Sequence, residues 1–299
     1  MSNGHEGNVY DSLVEDHGAD GHWAFGTGFE DVEAEIGAPV PDGVDRADLA
    51  AYCLMLGDDA LLAGHRLSEW VSNAPELEEE VALANTALDL LGQARVLLAR
   101  AGHVEGAGRD EDALAYWRTD REFRHVAIAE LTDGLDFAHA IARLLLLSTW
   151  RLALLQRLLG SRDPVIAAVA GKGVKEVAYH RDYAARWTLR LGDGTDESHR
   201  RMQAALERIW PHVEELFRTT DIERRLMAAG VAVDPAETRA EVDAVLDEVL
   251  TRATLTRPQR PPVGTIAGKG GREGVHTEQL GHVLAEMQSL ARKHPGASW

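Results

Sequence analysis

The chain has 299 residues, 45% of them hydrophobic and 27% charged, which is enough to bury one substantial core without forcing a second domain. Its formal net charge of −18 disfavours nucleic acid and anionic lipid as partners. A single cysteine, Cys53, excludes an internal disulfide and fits a reducing, cytoplasmic compartment; no leader or membrane span is read, because the longest oily stretch, Leu144 to Trp150, is fenced by Arg143 and Arg151.

Residues 1–45 are rich in glycine, carry Pro39 and Pro41 and show no apolar period, so they read as an irregular arm ahead of a helical domain over 46–299. Trp23, Phe25 and Phe29 are unusual in such an arm and suggest that part of it docks on a surface. From Asp48 the residues Leu49, Cys53, Leu56, Ala60, Ala63, Leu67 and Trp70 alternate spacings of four and three, which predicts a first long helix. Cys53 lies within that stripe and reads as core, not nucleophile. Pro75 breaks the pattern, and a second helix is expected from about Glu76 to Ala101, with Leu83, Ala87, Leu90, Ala94 and Leu97 on one face and Gly102 closing it.

A charged connection over Gly106 to Arg124 leads to a third helix, about Leu135 to Leu159, so apolar that it must be buried nearly all round. After Gly160 and Pro164 a fourth is expected from Val165 to Leu191, presenting Val177, His180, Ala184, Trp187 and Leu191. A fifth follows Thr195 as N-cap, and a shorter one starts at Asp234 and Pro235. The tail holds a glycine-rich loop, Gly264 to Gly274, and a last helix from about His276 to Arg292. No segment reads as a strand. Four helices of roughly 25 residues, at about 1.5 Å per residue, make an all-α bundle nearly 40 Å tall.

Bundles of this kind often hold two irons between carboxylates on two helices and a Glu-x-x-His pair on each of the others, since residues three apart share a face. The long helices contain no such pair: the second reads Asp89-Leu90-Leu91-Gly92-Gln93 and the fourth Glu176-Val177-Ala178-Tyr179-His180. Glu122 and His125 have the spacing but fall beside the connection and read as a surface coincidence. Glu176 with His180, and His65 with Glu69, are spaced for a hydrogen bond within one helix. The loop Gly264 to Arg272 misses the Walker pattern and reads as a turn.

The strings Leu54 to Trp70 (LMLGDDALLAGHRLSEW), Ala82 to Ala94 (ALANTALDLLGQA), Lys175 to His180 (KEVAYH) and Gly274 to Gln288 (GVHTEQLGHVLAEMQ) resemble the PaaC family, the C subunits of phenylacetyl-CoA epoxidases, from about Asp48 to Trp299. The resemblance implies a ferritin-like four-helix bundle with additional C-terminal helices, related to a catalytic sister subunit that carries Glu-x-x-His on the second and fourth bundle helices. On that pattern Leu90, Gln93 and Val177 replace ligands and only His180 survives, so no metal and no catalytic residue is expected in this chain. Asp89, Gln93, Glu176 and His180 would then form a buried polar network.

The resemblance further implies a structural partner of the di-iron sister subunit in a complex that binds phenylacetyl-CoA, epoxidises its ring and draws electrons from NADPH through a flavin and iron–sulfur reductase. Lys269 and Arg272 are candidates for contact with coenzyme A or an acidic partner. Two other readings stay open from the residues alone: an active di-iron oxygenase, and a ferritin-like binding protein without an enzyme partner.

Overall fold

The computed structural model describes residues 35–132, 134 and 136–297. Among these the only strand-like feature is one antiparallel bridge between Ile266 and Lys269, so the chain is all-α, with a ferritin-like bundle at its centre. Helix α1 spans Arg46–Ser68 and starts three residues before the apolar stripe, because the Asp45 carboxylate accepts from the Asp48 N–H at 2.9 Å. Helix α2 runs Leu77–Glu105, four residues past the expected end. Gly102 does not terminate it; the terminator is Gly106, in the left-handed conformation at φ 73°. Gly102 is needed for a close approach instead, since a Cβ there would lie 2.0 Å from the Arg109 carbonyl.

The connection contains a short helix α3, Glu111–Tyr116, that the charge pattern hid. Helix α4, Phe137–Leu158, is capped by Asp136, and α5, Pro164–Gly192, by Asp163 with proline in its first turn. Thr195 caps α6, Asp196–Ile209, as its sequence predicts, and a 3-10 turn over Trp210–Phe217 follows. Helix α7, Asp221–Ala228, and α8, Arg239–Arg252, come next; Asp234 and Pro235 open the latter through a 3-10 turn over Pro235–Thr238. The last predicted helix appears as α9, Glu278–Met287, and α10, Ser289–Lys293, separated by Gln288 alone.

Helices α1 and α2 pair antiparallel, as do α4 and α5, and α2 lies along α5 to close the four-helix core. Helices α2 and α4 are long and apolar enough to cross a membrane by length and composition, but the apolar window of α4 is 94% buried inside the protein and that of α2 half-buried. Arg143 and Arg151, which appeared to fence an oily stretch, are themselves buried in α4.

The end of the expected arm belongs to the bundle. Arg100 donates to the carbonyls of Ile36 (2.9 Å) and Ala38 (2.5 Å) while pairing with Asp163 at 2.6 Å, and Ile36, Val40 and Val44 lean on the core. Trp23, Phe25 and Phe29 lie outside the described residues.

Candidate functional site

At mid-height of the bundle α2 and α5 face each other antiparallel, and each presents two polar residues four apart. His180 Nε2 meets Asp89 Oδ2 at 3.0 Å, and one turn away Gln93 Nε2 donates to Glu176 Oε2 at 2.8 Å. The predicted bond between Glu176 and His180 within α5 does not form. Both point across to α2, because residues four apart share a face and that face is an interface. The His65–Glu69 pairing fails likewise: the Glu69 carboxylate takes the Arg66 guanidinium at 2.7 Å. The backbones approach closely at Gly173, where a Cβ would meet Leu155 Cδ1 at 2.8 Å and the Gln93 amide at 3.3 Å.

Sequence reasoning missed what lies behind these rungs. Arg151 of α4 donates from Nε (3.1 Å) and Nη2 (2.9 Å) to Gln93 Oε1 and from Nη1 to the Leu56 carbonyl at 3.3 Å. Burial lowers its pKa to about 10, Asp59 and Glu176 opposing and Arg272 reinforcing the shift, so the guanidinium stays charged at neutral pH. Burial also raises the Glu176 carboxyl, with Asp89 adding to the rise and Gln93 and Lys172 opposing it. Leu90, Val177 and His180 line one cavity whose wall also includes Asp59, Arg143 and Arg151, and Gln93 is not among its lining residues. That cavity measures about 20 Å³, room for about one water molecule. The available signal was the presence of Arg143 and Arg151, eight residues apart, at the two ends of the apolar run in the middle of the helix: both fall near one face, and a buried cation requires interior partners.

A family model described as phenylacetic acid catabolic protein matches residues 39–299. The chain is 45% identical over 251 residues, 84% of its length and 99% of the relative's, to the C subunit of 1,2-phenylacetyl-CoA epoxidase from Escherichia coli (strain K12). The chain belongs to the phenylacetic acid catabolic protein family.

Two further expectations need correction. Arg272 is not a surface contact for an anion: it is buried, its Nη2 lies 2.8 Å from Asp59 Oδ2, and Nη1 donates to the carbonyls of Met55 (2.9 Å) and Arg124 (3.0 Å). Burial favours this because Asp59, itself interior, needs a cation. Lys269 remains exposed in the turn before it.

His125 is not a surface residue either. Glu122 caps Thr119 outside, whereas His125 is fully buried, its Nε2 2.6 Å from Glu130 Oε2 and its ring stacked on His276 at 4.2 Å and 13°. His125, Glu130 and His276 bring metal-ligand atoms within 4.8 Å of one another. The stack argues against chelation, since an ion between two nearly parallel rings lies outside the plane of each nitrogen lone pair. His276 Nε2 lies 3.0 Å from the Phe123 carbonyl and Nδ1 3.2 Å from the Glu130 carboxylate, contacts that favour the protonated, charged imidazole. Burial opposes that charge, but the contacts with Glu130 and Phe123 outweigh it and hold the His276 pKa above its usual value.

Proposed function

We propose that this chain is the structural C subunit of a 1,2-phenylacetyl-CoA epoxidase, a non-catalytic partner that supports a di-iron sister subunit. In this reading the irons sit in the sister subunit, which with its other partners binds phenylacetyl-CoA and receives electrons from NADPH through a flavin and iron–sulfur reductase. The helical bundle, with Ile36 to Val44 packed against it, would be the assembly element.

One observation carries the non-catalytic role: the buried Arg151 guanidinium bonds Gln93 at the level where the resemblance calls for iron ligands. A fixed cation repels metal ions in a low-dielectric interior. Leu90 and Val177 offer no donor atoms, and neutral amide is a poor substitute for imidazole. The 20 Å³ cavity leaves no room for two ions with bridging oxygens.

Metal analysis tests this. Partner-free protein reconstituted anaerobically with ferrous iron and then exposed to oxygen should retain far less than one iron per chain and develop no oxo-bridged absorption band. Stoichiometric iron with that band would establish a working centre and overturn the assignment.

A further inference from the structure

A groove of about 480 Å³ opens beside the first turns of α1, away from the bundle centre. Its floor is apolar and made of small residues, Ala47, Ala50 and Ala51 with Leu54, backed by Ala101 and Val104 of α2. Its rim carries four arginines, Arg46, Arg109, Arg118 and Arg124, and two glutamates, Glu105 and Glu122. Arg109 is engaged by Glu105 at 2.5 Å and more loosely by Glu122 at 3.9 Å, and Arg118 by the buried Asp58. Among the described residues Arg46 makes no ion pair, and the Arg124 side chain reaches only the Arg121 carbonyl, at 3.5 Å. The groove therefore offers a shallow apolar surface with two uncommitted guanidinium groups, in a protein whose net charge is −18. The chemistry that fits is an extended acidic segment carrying aromatic side chains.

The chain contains such a segment at the right place. Residues 1–34 hold eight Asp or Glu and no Lys or Arg, and place Trp23, Phe25 and Phe29 just before Glu30, Asp31 and Glu33. The chain enters the described region at Glu35, and Arg100 pins the carbonyls of Ile36 and Ala38 to α2 next to Ala101, which lines the groove. Crossing one helix, about 10–12 Å, takes about four extended residues, which brings the acidic run to the rim. We propose that this groove is the docking site of the chain's own N-terminal segment, with Glu30, Asp31 and Glu33 toward Arg46 and Arg124 and the aromatic residues over the alanine floor. Exposed ion pairs are individually weak. Tethering compensates, because a short linker supplies an effective concentration in the millimolar range. The family match covers residues 39–299, so the groove lies within it and the docking segment before it.

Hydrogen exchange on the full-length chain tests the proposal. Amides of residues 20–34 should exchange about fivefold more slowly in the wild type than in the double variant Arg46→Glu, Arg124→Glu, and the protection should weaken with added salt. A second variant, Glu30→Gln, Asp31→Asn, Glu33→Gln, leaves the bundle untouched and should lose the same protection, which guards against misfolding of the first. Exchange of residues 20–34 at the rate of a free peptide in the wild type would overturn the proposal. So would protection that survives both variants, or that appears only when a partner subunit is added.

Discussion

Arg151 shows how one side chain can set the character of a bundle centre. Among the described residues it is the only donor to Gln93 Oε1, and through Gln93 it orients the amide toward Glu176. Arg151→Ala leaves the buried Gln93 Oε1 unsatisfied and opens a void, so it should cost about 3 kcal/mol of stability. Arg151→Lys keeps the charge but lacks the fork that serves Gln93 twice, and should fall between the two. Urea midpoints at constant m-value measure this, with exposed Arg208→Ala, expected within about 0.5 kcal/mol of wild type, as control. If Arg151→Ala matched that control, the guanidinium would not organise the centre.

Among elements, the end of α2 and the C-terminal segment obey different constraints. Helix propensity alone favours Gly102→Ala by about 1 kcal/mol. The new Cβ, however, would lie 2.0 Å from a backbone carbonyl that cannot rotate away, so the turn at Arg109 must shift. Overpacking at about 1–3 kcal/mol should win, and Gly102→Ala should lower the melting temperature; a rise would mean that the turn yields freely. The C-terminal segment is held by one buried ion pair, Arg272 on Asp59, and two half-buried bonds, Thr277 N–H on Glu130 at 2.6 Å and Gly271 N–H on Glu215 at 2.8 Å. Because the folded pKa of His276 is raised, the stability it contributes is complete below the unfolded value near 6.5 and is lost as pH rises through the folded value. Wild-type urea midpoints should therefore decline above neutral pH, whereas His276→Gln should start lower and stay flatter. Parallel profiles would rule out a charged His276.

For the whole molecule, the proposed role predicts that co-expression with the catalytic sister subunit gives one gel-filtration species containing both chains, and two separate peaks would sink it. The architecture was legible in the sequence because apolar spacing and caps are local: Thr195, Asp234 and the stripes from Leu49 to Trp70 and from Leu83 to Leu97 place their helices to within a few residues. Helix α3 escaped because six residues in a charged run carry no usable period, and Gly102 misled because a glycine reads alike whether it ends a helix or admits a neighbour. The convergence of Leu90, Val177 and His180 followed from spacing on two known faces. The partners of Arg151, Arg272 and His276 did not. Each bonds residues 58 to 217 positions away, and no local pattern records such a pairing. The sequence by itself determined which residues share a helical face, and the family to which the chain belongs. Only the tertiary structure decided which charges go inside and what neutralises them, because a buried arginine is tolerated wherever packing supplies acceptors, and packing is a property of the assembled helices.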